Sequence, residues 1–128
     1  MRTAYPVVFT ELPDGYMAYV PDMQINTQGD TLAEAIAMSR DAIGIMGIDM
    51  EDDKKPLPVP SRLSAIAKQY PNDVVTFVDI DFTEYRRRNS STVRRNVSLP
   101  SWLNYEAEKA NINVSAFLQE ALREHLHL

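Results

Sequence analysis

The stretch Arg86–Thr92 (RRRNSST) contains no apolar side chain and no hydrophobic period, so it has nothing to contribute to a core. It divides the 128-residue chain into 85 residues before it and 36 after it. The first piece is long enough to enclose a core of its own. The second falls below the length at which a chain usually folds without a metal, a disulfide or a partner. Expected units are therefore residues 1–85, a linker at 86–92, and residues 93–128.

The charge follows the same division. Residues 1–85 hold 6 basic and 14 acidic side chains, net −8, and residues 86–128 hold 7 basic and 4 acidic, net +3. Arg86, Arg87, Arg88, Arg94 and Arg95 crowd into ten positions. The whole-chain net of −5 argues against nucleic acid only because it averages two pieces of opposite sign. With no cysteine there is neither a disulfide nor a cysteine-ligated zinc site, which fits a reducing, cytoplasmic setting. No leader-like or membrane-spanning segment is expected, since no apolar run approaches the roughly 20 residues a span requires.

In the first piece, Tyr5–Thr10 and Tyr16–Val20 are short β-rich runs separated by the turn signal Pro13-Asp14-Gly15, and so predict an antiparallel hairpin. Pro6 lacks a ladder donor and is expected at an edge or a strand start. A loop is expected over 21–30. Thr31 to Glu34 has the capping-box pattern, and Leu32, Ala35, Ile36, Ser39, Ala42, Ile43 and Met46 follow at helical spacing. Gly44 and Gly47 weaken the last turns, and the acidic run Asp49–Asp53 ends them. Lys54–Pro60 must be extended, Ser61 is placed to cap a short helix, and Val74–Phe82 is the strongest strand. The order ββα(α)β predicts an α+β layer with helices on one face of a sheet.

Catalysis finds little support. Asp79 and Asp81 share a strand face where a hard cation could bridge them, which gives a metal-dependent nuclease as one rival. Two-metal hydrolysis needs more carboxylates converging on rigid elements. Asp14, Asp22 and Asp30 lie in turn-like contexts where aspartate is ordinary. There is no phosphate loop, nucleophile elbow or metal-spaced histidine set, and His125 and His127 cannot share a helix face. Met17, Met23, Met38, Met46 and Met50 read as gap-filling residues. No catalytic residue, metal or cofactor is expected.

The tail is more specific. In Arg94–Pro100, Val97 and Leu99 alternate with Arg94, Asn96 and Ser98. A helix is expected from Pro100 to about Asn111, with Leu103, Ala107 and Ala110 inward. A second begins at Asn113 with the stripe Phe117, Leu118, Ala121, Leu122 and Leu126. A lone strand leaves its backbone unpaired, and two short helices cannot cover their own apolar faces. A twofold partner solves both problems, pairing strand with strand into a ribbon that fits the DNA major groove. Arg94, Asn96 and Ser98 would then face base edges. Arg95 and the start of the second helix at Asn113, Val114 and Ser115 would face phosphates.

Arg94–Leu128 resembles a ribbon-helix-helix domain, most specifically in its strand–Leu99-Pro100 junction and its helix opening NVSAFLQEAL at 113–122. A hairpin ending in Val20-Pro21-Asp22, a helix entered through TQGDTLAEAI at 27–36, and a Pro58 to Ser61 segment precede it. That order resembles the HicB antitoxin family. The resemblance implies an antitoxin that neutralises HicA, a small RNA-cleaving toxin, and represses their shared operon. It also implies a degenerate, inactive ribonuclease-H-like fold for the first piece. Ala107 departs from the pattern, standing where a larger apolar residue is common.

The reading that follows is an acidic unit masking a basic RNase toxin, with Asp22, Met23, Asp49, Glu51 and Asp52 as toxin-facing candidates. It is joined to a homodimeric unit on a palindromic operator, and contacts between N-terminal units could add a dimer of dimers. The principal rival is a stand-alone ribbon-helix-helix regulator whose first unit senses a small ligand.

Overall fold

The computed structural model describes residues 2–128 and divides into two compact units, Met1–Ser91 and Thr92–Leu128. The first is built on a four-stranded antiparallel sheet in the order β3-β2-β1-β4. Strands β1 (Arg2–Leu12) and β2 (Gly15–Val20) form the expected hairpin, closing at Leu12 opposite Gly15 across Pro13 and Asp14. Pro6 departs from expectation by lying inside an interior strand. The pairing of β1 with β2 runs only from Val8 to Leu12, so at Pro6 the ladder is with β4 alone, opposite Phe77. The missing donor is tolerated because that stretch of β1 is locally one-sided.

The loop expected over 21–30 instead holds a third strand, β3 (Ile25–Gly29), after a tight turn with Gln24 in the left-handed region at φ 54. Its sequence, INTQG, has one strong strand former. As an edge strand it pairs only with β2, so its outward residues stay polar. Helix α1 (Leu32–Asp52) begins as its sequence predicts, with the Thr31 hydroxyl accepting the Glu34 N–H at 3.1 Å. It buries Ala35, Ser39 and Ile43 against Tyr5, Val7, Phe9, Ala18, Val20, Val78 and Ile80 of the sheet. Leu32, expected on this face, lies at the exposed helix start.

Gly44 and Gly47 have a role beyond weakening the helix. A Cβ on Gly47 would lie 2.1 Å from Phe82 Cε1, and one on Gly44 would lie 2.6 Å from the Tyr85 ring. Both aromatics come from helix α3 (Phe82–Arg88), which follows β4 (Val74–Asp81) directly. Arg86–Arg88, expected in a linker, are therefore the last turn of a helix. Asp81 ends the strand and caps this helix, its Oδ1 accepting the N–H groups of Thr83 (3.1 Å) and Glu84 (3.3 Å). The two notches let α3 lie close against α1.

Between α1 and β4 the chain runs extended, held where the Tyr5 hydroxyl donates to the Pro58 carbonyl at 2.7 Å. Ser61 does not cap helix α2 (Leu63–Gln69), whose cap residue is Arg62. Ser61 instead donates its N–H to Asp22 at 2.9 Å and its hydroxyl to the same carboxylate. The Tyr70 ring, at the end of α2, lies 6.5 Å from that of Tyr19. Side chains alternate along a strand, so Tyr19 points away from the face of Ala18 and Val20 that α1 covers. The end of α2 thus lies on the opposite face of the sheet, correcting the one-face arrangement.

The second unit comprises helices α4 (Ser101–Lys109) and α5 (Val114–Leu126), joined by a turn with Asn111 at φ 56. Asn113 caps α5 as expected, its side chain accepting the Ala116 N–H at 3.1 Å. Residues 90–100 have no regular secondary structure in the single chain, and the strand expected at Arg94–Pro100 is not formed. Strand structure depends on ladder bonds to a neighbour, and this segment has none here. None of the residues of Thr92–Leu128 is buried.

Two outcomes follow for the first unit. Alanine usually stabilises a helix over glycine by about 1 kcal/mol. Gly47→Ala should nevertheless lower stability in urea unfolding, by about 1–3 kcal/mol, because the buried Phe82 ring cannot withdraw. Asp22→Ala should cost about 1–3 kcal/mol by leaving the partly buried Ser61 donors unmet, and should speed proteolysis within 54–62.

Candidate functional site

The residues expected to act fall on both units. In the second, Arg94, Arg95, Asn96 and Ser98 are all exposed, as are Asn113, Val114 and Ser115 at the start of α5. Val97 and Leu99, expected on the inner face of a ribbon, remain 50% and 38% exposed. At the α5 start the Asn113 side chain meets the Ala116 N–H. The Val114 and Ser115 N–H groups belong to the helix's opening turn, where no intrahelical acceptor exists. Such donors suit an anion.

The apolar stripe of α5 is uncovered. Phe117 is 64% exposed and Leu126 58%, with Leu122 half exposed and Trp102 of α4 also outward. Of the stripe's large apolar side chains only Leu118 is half-buried, and the others are available to a second surface. A fully buried side chain of this size is worth about 1.5–3 kcal/mol, so covering the stripe offers a large driving force for association. The spacing of these residues was visible in the sequence, and the structure adds that none of them is buried.

In the first unit, the expected toxin-facing residues separate into two groups. Met23 is 6% exposed and belongs to the core, so in this conformation it is not presented to a partner. The Asp22 carboxylate is engaged by Ser61. The loop around them is structural, and the compact β2–β3 turn is the reason. Asp49, Glu51 and Asp52 lie on the last turns of α1 and are exposed. Arg86 reaches two of them, at 3.3 Å from Glu51 and 3.0 Å from Asp52, which tethers the end of α3 to the end of α1. Its guanidinium is held even more firmly protonated, chiefly by the bond to Asp52. Tyr85 adds a second tether, donating its hydroxyl to Asp41 at 2.7 Å. Burial, then the hydrogen bond to Asp41, push that phenol up to about 12.

Asp79 and Asp81, the proposed metal pair of the nuclease rival, are otherwise occupied. The Asp79 carboxylate pairs with Arg2 at 2.9 Å and Arg40 at 3.3 Å, and the Arg40 Nε also donates to its backbone carbonyl. Asp81 is committed to the α3 cap, and the N–H of Glu84 first among its partners holds its carboxyl below the ordinary range. The cap therefore keeps its charge at neutral pH and weakens only as acid protonates it through that lowered value. Among the described residues, no three His, Cys, Asp or Glu side chains converge as a metal site.

Known proteins resemble this chain over most of its length. Residues 5–122 match the family described as HicB-like antitoxin of bacterial toxin–antitoxin system, a match that runs through both units. An uncharacterised 14.9 kDa protein from the rep–hol intergenic region of Haemophilus phage HP1 (strain HP1c1) is 32% identical over 117 residues, 89% of this chain and 74% of that protein. The fold is similar to that of a chain in a toxin–antitoxin complex from Streptococcus pneumoniae, with TM-score 0.60 and 22% identity, covering 98% of this chain and 99% of that one. It is also similar to the antitoxin HicB of Burkholderia pseudomallei, with TM-score 0.58 and 22% identity, covering 98% and 97%. The match across nearly the whole chain leads to one assignment: this chain belongs to the HicB-like antitoxin family of bacterial toxin–antitoxin systems, whose members are not enzymes.

Proposed function

We propose that this antitoxin masks a small, basic, HicA-like RNase through its acidic first unit and represses its own operon, in the cytoplasm, through its second. In this reading the first unit is a degenerate ribonuclease-H-like fold used for binding, and the second is a ribbon-helix-helix. Inhibition is occlusion and needs no chemistry from this chain. The observation that carries the reading is the absence of any buried residue in Thr92–Leu128, together with the unpaired segment before α4. A second copy would supply both the missing ladder partner and the missing cover for Phe117, Leu122 and Leu126. The paired strands would then present Arg94, Asn96 and Ser98 on one face, a set able to hydrogen-bond base edges in a major groove. Arg95 and the α5 start would take phosphates. Contacts between first units would extend this to a dimer of dimers.

Co-expression with the small basic protein encoded beside this chain should abolish that protein's toxicity, and persistent toxicity overturns the antitoxin mechanism. Leu122→Lys should convert the dimer to a monomer by light scattering and remove operator binding while leaving toxin neutralisation intact. For base reading, Arg94→Ala should weaken operator binding by about 1–3 kcal/mol in a gel-shift titration if it makes a bidentate guanine contact. Affinity for the palindrome should also fall steeply with added salt as counterions are released.

A further inference from the structure

Helix α1 carries two apolar stripes, and the core uses only one. Ala35, Ser39, Ile43 and Gly47 face the sheet and α3. Met38, Ile45 and Ile48 recur on the opposite side, at spacings that place them on one helical face. Met38 is 41% exposed and Ile45 57%, and Ile48 is half-buried. Asp41, Asp49 and Asp52 interleave with them along the same face. Toward α3 the surface dips into an open groove of about 570 Å³, bordered by Ile45, Ile48, the three aspartates and Tyr85.

The three carboxylates differ in what they already hold. Asp41 accepts the Tyr85 hydroxyl and Asp52 accepts from Arg86. Among the described residues, the Asp49 side chain has neither a hydrogen bond nor an ion pair. The face is an apolar patch of Met38, Ile45 and Ile48 with an acidic rim, one carboxylate of which has no partner among the described residues. It suits a partner that brings an apolar side chain flanked by cations. A second copy of this chain does not fit that description. A twofold contact through this face would set its three aspartates against the same three of the other copy, and like charges at close range cost several kcal/mol. A nucleic acid is disfavoured by the same charges.

We propose that the outward face of α1, centred on Ile45 and bordered by Asp41, Asp49 and Asp52, is the docking surface for a basic protein partner. That partner presents an apolar ridge flanked by lysine or arginine. The proposal rests on the masking function above and assigns it a surface. Ile45 is the apolar anchor, and Asp49 is the carboxylate left for an incoming cation. The loop around Asp22 and Met23 takes no part.

The test measures binding of the full-length chain to the small basic protein encoded beside it, prepared in a form disabled for RNA cleavage. Ile45→Arg should weaken the complex by at least about 30-fold, the loss expected at a central anchor. Asp49→Lys should weaken it by about 10-fold at low salt, with the difference from wild type shrinking as salt rises. Glu11→Lys, the same change of charge at the exposed end of β1, should stay within about 3-fold of wild type, as a charge outside the interface does. Thermal melting and operator affinity report that each variant is folded. If wild type binds and both α1 variants stay within about 3-fold of it, the surface is wrong while the antitoxin mechanism stands. An equal loss in Glu11→Lys and Asp49→Lys would mean that net charge, not this face, drives association, and would also overturn the proposal. No binding by wild type overturns the masking function on which it rests.

Discussion

The first unit depends on how closely α3 can approach α1, and that distance is set by two missing side chains. Phe82 and Tyr85 occupy the space where Gly47 and Gly44 would otherwise carry a Cβ. Phe82 completes the core beside Ile43 and Ile80, and Tyr85 reaches Asp41 across the helix. The end of β4 is thereby turned back over the sheet's own helix before the chain leaves the unit. Arg86, one position further on, reaches Glu51 and Asp52 because the rings ahead of it are seated. A closely packed interior of this kind tolerates little added volume, so the two glycines fix the geometry of everything on that side of α1.

The second unit follows the opposite logic. Its helices have sound local signals, an asparagine cap and a left-handed turn between them, yet none of its apolar residues is buried. Local propensity can set where helices begin and end without supplying the free energy that keeps short ones formed. The two units thus differ in kind: one is held by its own interior, and the other buries no residue of its own.

Much of this was legible in the sequence, and the misses share a cause. The hairpin, the Thr31 start of α1, β4 and the Asn113 cap are short-range signals written in a few adjacent residues. Strand β3 was not legible, because an edge strand facing solvent has no need of the β-rich composition that marks β1 and β4. The alternation of Ile25, Thr27 and Gly29 was the trace it left. Gly44 and Gly47 looked like helix weakeners because their purpose lies with residues about forty positions away. Ser61 looked like a cap because Asp22, its actual partner, is equally distant in sequence. Of the candidate contact residues, those of the tail are exposed, whereas Met23 is core. A methionine beside an aspartate in a loop does not reveal from sequence whether it points inward. The second stripe of α1 was also present in the spacing of Met38, Ile45 and Ile48, masked by the stronger first one.

Under the pairing proposed for the tail, a chain that leaves Trp102, Phe117, Leu122 and Leu126 uncovered when alone would carry a dosage gauge in its own composition. The fraction of copies with those side chains covered by a second copy grows with concentration. At low abundance a solitary chain would then offer an unshielded helical pair to proteases and chaperones, and its persistence would fall with its numbers. Scarcity would accelerate its own loss, whereas abundance would protect the pool. That threshold needs no bound effector and no modified residue, only the surface that Thr92–Leu128 cannot bury alone.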